Sequence, residues 1–135
     1  MSALVRLLYP PPTTSRHPTS VIAWWERRRL AFNLIVGGTG VLTLMVANLF
    51  AWLPPDRGAG LPPLFAAVVY GVAANLFYTS GWMFEVLFNA WWKDDPPRIG
   101  PVLFRQGLLF SIGLTLLPTA FVALDYGFRV LRWIW

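Results

Sequence analysis

Glu85 is the residue of this chain whose position most needs a chemical reason. It stands in Trp82-Met83-Phe84-Glu85-Val86-Leu87-Phe88, and the other charges between Leu30 and Trp92 are Asp56 and Arg57, in a proline-glycine turn. A carboxylate inside a hydrocarbon layer costs at least about 2.5 kcal/mol on insertion scales, so such a residue has a partner or handles a proton or substrate. Few other groups are equipped for chemistry. Asp94-Asp95 belongs to a turn, and Asp125 is spaced to pair with Arg129 at i,i+4. The single histidine, His17, lies in the proline-rich stretch Pro10-Pro11-Pro12-Thr13-Thr14-Ser15-Arg16-His17-Pro18, outside the apolar segments. No histidine is therefore placed to ligate haem or a chlorophyll magnesium within a bilayer. The absence of cysteine excludes disulfides, thiolate metal sites and cysteine nucleophiles. Gly37-Gly38-Thr39-Gly40 is glycine-dense, but it lies inside an apolar run with no following Lys-Ser/Thr, so it is not a phosphate loop. The expectation is no catalytic residue, no metal and no cofactor; the chain does not read as an enzyme.

The elements that must position Glu85 follow from hydropathy. The composition is 56% hydrophobic and 13% charged, about half the charge of an average globular domain. Three nearly uncharged stretches, about 30–53, 61–88 and 101–124, each reach the length needed to cross ~30 Å of hydrocarbon. The predicted fold class is an all-α membrane protein of three transmembrane helices, forming one domain over 1–135 with a proline-rich tail at 1–19. An N-terminal interfacial helix at about 20–29, Ser20 to Arg29, is expected to lead into the first span. The tail Asp125 to Trp135 is expected to lie along the opposite interface. Breaks fall at Pro54-Pro55-Asp56-Arg57-Gly58-Ala59-Gly60 and at Lys93-Asp94-Asp95-Pro96-Pro97-Arg98-Ile99-Gly100-Pro101. The second apolar stretch, Leu61 to Trp92, would be about 48 Å long as a helix, which predicts a bend near Gly81 or protrusion from the bilayer. The opening residues are too soon broken by prolines for a cleavable signal peptide, so the first span is expected to act as an uncleaved anchor.

Charge gives orientation. With the N-terminus inside, Arg6, Arg16, Arg27, Arg28, Arg29, Lys93, Arg98 and Arg105 fall on the inner side, and Arg57, Arg129 and Arg132 on the outer side. That asymmetry favours a cytoplasmic N-terminus and an outer C-terminus. The formal charge of +5 thus reads as topogenic and lipid-directed rather than as a nucleic-acid surface. Trp24, Trp25, Trp91 and Trp92 mark an inner aromatic belt, and with Arg27, Arg28 and Arg29 they are expected to anchor in anionic headgroups at the cytoplasmic face. Trp52, Trp133 and Trp135 mark the outer belt.

Helical periodicity places small and polar residues on shared faces. Gly37, Gly40 and Asn48 share one face of the first span. Ala67, Gly71 and Ala74 fall on the Glu85 face of the second, and Gly107 and Ser111 lie together in the third. Small residues let membrane helices approach closely, so these positions are expected to form the packing seam. Pro118 frees the Leu114 carbonyl and predicts a kink that Ser111 or Thr115 could relieve. At the inner end, Glu85 is expected to pair with Arg105, or with Arg29, within a polar cluster of Asn33, Asn89 and Gln106. The structural role is a staple that fixes how the helices dock. The functional alternative is a proton or substrate site.

The pieces Trp24-Trp25-Glu26-Arg27-Arg28-Arg29-Leu30-Ala31-Phe32-Asn33-Leu34 and Asn75-Leu76-Phe77-Tyr78-Thr79-Ser80-Gly81-Trp82, followed by Glu85, resemble small uncharacterised bacterial inner-membrane proteins. The resemblance covers about a fifth of the chain and implies a bacterial inner-membrane location, with no activity. Small multidrug transporters also carry a membrane glutamate, but in the first of four spans, a pattern this chain lacks. Three readings follow. The first is an accessory or assembly subunit, or a homo-oligomer, acting by association with other membrane subunits or with itself. The others are a small proton-linked transporter or channel component using Glu85, and an envelope lipid-binding protein.

Overall fold

The computed structural model describes residues 3–13, 15–54, 64–92 and 97–135. The described chain is helical throughout: α1 (Ala3–Leu8), α2 (Pro18–Trp52), α3 (Leu64–Trp91) and α4 (Gly100–Ile134). The turns expected around Asp56-Arg57 and Asp94-Asp95 lie outside the described residues.

Prolines set three of the helix boundaries. Pro18 opens α2, where its fixed φ suits the first helical position and its missing N–H is not required. Leu53, restricted by the following Pro54, is extended at ψ 141° and ends the same helix. Pro101 likewise stands in the first turn of α4. Between these limits α2 and α4 each run for 35 residues, about 52 Å at helical rise. Both exceed the ~30 Å hydrocarbon layer, and both are long and apolar enough to cross a membrane.

Two expected segments join longer helices. Ser20 to Arg29, expected to lead into the first span, forms the opening turns of α2. Asp125 onward is not a tail but a continuation of α4 to Ile134. Nothing between Ala31 and Trp52 or between Val102 and Leu117 breaks the i→i+4 ladder, and α4 passes through Pro118 within one assigned helix. The second of the three long helices, α3, likewise continues through Gly81 without interruption.

Contacts fix the topology. Trp25 meets Phe104, Gly40 meets Thr115, and Phe50 meets Tyr126, so α2 and α4 run parallel. Tyr70 meets Ser111 and Tyr78 meets Phe104, so α3 runs antiparallel to both. The core gathers toward the N-terminal end of α2, where Val21, Trp24, Trp25, Phe32, Val36, Tyr78, Phe104 and Leu108 form one buried cluster. Trp25, Tyr78 and Phe104 meet edge to face with centroids 5.3 to 6.4 Å apart, the geometry favoured by ring quadrupoles. The outward faces carry large apolar side chains such as Leu30, Leu34, Met45, Leu76, Phe77 and Phe110.

The inward face of α2 differs from the small-residue seam read from the sequence. Val21, Trp25, Phe32, Val36 and Thr43 point inward, spaced at helical periods, whereas Asn33 and Gly37 are exposed. Gly40 does approach α4, with Thr115 Cγ2 3.8 Å from where its Cβ would stand. Ala74 is buried, and Ser111 accepts a bond from Tyr70 through its carbonyl. Ala67, Gly71 and Gly107 are exposed, and a Cβ on Gly37, Gly71 or Gly107 would meet nothing within 4 Å. Bulky rings on α2 fill the space between helices and turn the glycine-bearing arc outward.

Candidate functional site

Glu85 lies in the last two turns of α3 and is 3% exposed. Its Oε2 accepts a 2.6 Å bond from the indole Nε1 of Trp25 on α2. The start of α4 lies against the same carboxyl group, close enough that a Cβ on Gly100 would stand 2.5 Å from Oε2. The first N–H groups there have no partner within their own helix and carry the positive end of the helix dipole. One carboxyl group thus sits where three helices meet, at an α4 start that has no side-chain cap of its own. The observed partner of the carboxyl group is therefore not one of the expected arginines.

Among the described residues, neither Arg105 nor Arg29 pairs with Glu85. The Arg105 guanidinium lies over the Tyr9 ring at 5.1 Å. Arg29 donates to Glu26 Oε1 at 2.7 Å and to Thr79 Oγ1 at 3.1 Å, with its guanidinium 5.1 Å from the Tyr78 ring. Asn33 and Gln106 are exposed and Asn89 is half-buried, so the expected polar cluster does not assemble around the carboxylate. A neutral donor replaces the arginines because the aromatic layer brings α2 against α3 at Trp25. Arg29, one turn beyond Trp25 on the same face, meets the antiparallel α3 at Tyr78 and Thr79, short of Glu85.

Two glycines make this junction possible. A Cβ on Gly100 would stand 2.5 Å from Glu85 Oε2 and 2.6 Å from Oε1. A Cβ on Gly81, one turn before Glu85, would stand 2.8 Å from Trp25 Cη2. Only a hydrogen at these positions lets the indole lie across α3 and the carboxyl meet the α4 terminus. Tyr78, one further turn back, donates its hydroxyl to the Trp25 carbonyl at 2.5 Å. Trp25 is thus held at its main chain and at its ring, from one face of α3. The sequence carries a signal for this grouping, since Tyr78, Gly81 and Glu85 recur at helical spacing, but nothing in it specifies Trp25 as the partner.

The residues expected at the headgroup belt divide. Trp24 and Trp25 are core side chains, and Trp24 Nε1 donates to the Pro11 carbonyl at 2.8 Å. Arg28 lies 3.9 Å over the Trp24 ring and donates to its carbonyl. Arg27, Trp91 and Trp92 are exposed.

A second polar junction lies farther along the bundle. The Thr43 hydroxyl donates to the Thr115 carbonyl at 2.9 Å. The Thr115 hydroxyl donates to the Ser111 carbonyl, and Tyr70 reaches both that carbonyl and Thr115 Oγ1. Thr115 thus serves Ser111 rather than the Leu114 carbonyl that Pro118 leaves without its amide. At the far end Arg129 donates to the Phe50 carbonyl at 3.2 Å. Its Nε lies 3.1 Å from Asp125 Oδ2, an ion pair by distance although off the axis of a hydrogen bond.

These features define an all-α protein with two helices long and apolar enough to cross a membrane, joined to a third at a buried carboxyl group. Comparison with protein-family models, with curated proteins and with solved structures finds no match.

Proposed function

We propose that this chain crosses a bacterial inner membrane three times, with the segment before α2 cytoplasmic, and acts by association as an accessory or assembly subunit or as a homo-oligomer. One observation supports this above the others. Gly37, Gly71 and Gly107, one on each long helix, have open space where a Cβ would stand. In lipid, where apolar burial gives little drive between helices, such positions are where another helix can approach closely. The burial of Glu85, 3% exposed and bonded to Trp25, counts against a proton-linked transporter or channel component.

The test is purification from native membranes in mild detergent, with in-membrane cross-linking before extraction. The expected product is a complex larger than the monomer that weakens when Gly37, Gly71 or Gly107 is replaced by leucine. A monomer under both conditions, unchanged by those substitutions, would refute the association reading.

A further inference from the structure

The N-terminal segment is a strap bound across the bundle rather than a free tail. Pro10 is buried, Leu8 packs on the aromatic core, and Tyr9 lies beneath Arg105. The Trp24 indole holds the Pro11 carbonyl. Between this strap and the opening turns of α2 lies a groove of about 910 Å³. Arg6 of α1 and Arg27 and Arg28 of α2 line it, together with the hydroxyl-bearing Thr19 and Ser20, and Trp24 supplies an apolar wall. No acidic residue is among the described lining residues. Glu26, their acidic neighbour on α2, is turned to Arg29.

We infer that this groove is a binding site for the phosphate of an anionic phospholipid headgroup, assembled by the strap. Three guanidinium groups supply donors suited to phosphate oxygens. Arg28 is already oriented by its stacking on Trp24 and its bond to the Trp24 carbonyl. Arg27 is exposed, so its guanidinium is open to a phosphate arriving from solvent. Trp24 and the prolines offer the apolar surface that a glycerol and the first acyl carbons require. A free phosphate ion would use the arginines but not that wall. The site does not depend on the association reading, because one chain builds the whole groove.

The test uses the purified full chain in mild neutral detergent with equimolar phosphatidylglycerol and phosphatidylcholine, the bound lipid being read by native mass spectrometry. Retention of phosphatidylglycerol over phosphatidylcholine is expected. Arg27→Gln should reduce that preference about fivefold, and Arg6→Gln with Arg27→Gln about 25-fold, from the usual gain per basic residue near an anionic surface. Arg132→Gln, at the opposite end of the bundle, should leave it unchanged. Arg27→Gln alone removes no hydrogen bond among the described residues and changes an exposed position, so it reads binding rather than folding. Undiminished preference in that variant would overturn the inference. Equal retention of the two lipids, or full displacement by equimolar inorganic phosphate, would overturn the lipid assignment.

Discussion

Replacing Gly100 by alanine perturbs the three-helix junction at its tightest point. The new methyl carbon would stand 2.5 Å from Glu85 Oε2, 2.6 Å from Oε1 and 2.8 Å from Cδ. Ordinary contact begins near about 3.5 Å, so the carboxyl group must withdraw by about 1 Å or α4 must move. Such a shift is large against the 2.6 Å Trp25 bond, whose distance and alignment hold only within a few tenths of an ångström. A buried indole N–H left without an acceptor costs about 1–3 kcal/mol. The better helix propensity of alanine returns at most about 0.5–1 kcal/mol, and less at a helix end. The expected net loss is about 1–2 kcal/mol, measured by equilibrium unfolding in mixed micelles followed by tryptophan fluorescence. The decisive comparison repeats the substitution in a Glu85→Ala background. There the clash is gone, and Gly100→Ala should be neutral or slightly stabilising. An equal cost in both backgrounds would refute the reasoning, because the penalty would then belong to the α4 backbone and not to its contact with Glu85.

Other substitutions read the same junction and its surroundings. Trp25→Phe should destabilise by about 1–3 kcal/mol through loss of the indole donor to Glu85, whereas Trp91→Phe, at an 83% exposed position, should stay within about 0.5 kcal/mol; similar unfolding midpoints for the two would remove Trp25 from the staple. Gly81→Ala should cost about 1–3 kcal/mol by driving a methyl into the Trp25 ring. Removing the ring with Trp25→Ala should abolish that increment, a coupling that a double-mutant cycle measures. Arg129→Gln should cost only about 0.5–1 kcal/mol, because its partner Asp125 is largely exposed; the loss should be largest in protease or exchange protection around Phe50, and uniform loss across the bundle would count against a local tie. Single cysteines introduced at Thr13 and Trp135 should label from opposite sides of sealed vesicles, and labelling from one side would overturn the three-crossing topology.

Much of the secondary structure was legible because proline acts locally. Pro18, Pro54 and Pro101 bound helices through constraints on their own φ and on the residue before them, and these operate whatever the helix packs against. The continuation of α4 to Ile134 was harder to read. Asp125, Arg129 and Arg132 suggested an interface, yet their spacing also suits a helix whose arginine reaches the end of α2 at Phe50. The packing faces were misread for a definite reason. Small residues mark where helices can approach, but they do not say which helix fills the space. On α2, Trp25, Phe32 and Val36 occupy the interior, and the arc containing Asn33 and Gly37 is rotated outward. A rotation of that kind leaves hydropathy and helix length unchanged.

Glu85 marks the division between what sequence alone determined and what required the fold. Its isolation in a long apolar run established that it needs a partner, since the cost of an uncompensated carboxyl group there is a property of solvation. Charge arithmetic selected arginines, the strongest partners within reach in sequence terms. The tertiary structure chose the Trp25 indole instead and set the start of α4 at Gly100 against the carboxyl group. The physical reason is that helix rotation, set by wedging Trp25 between Gly81 and Phe104, decides which donors face the carboxyl group. That rotation depends on contacts between residues tens of positions apart in the chain, and no local pattern encodes it.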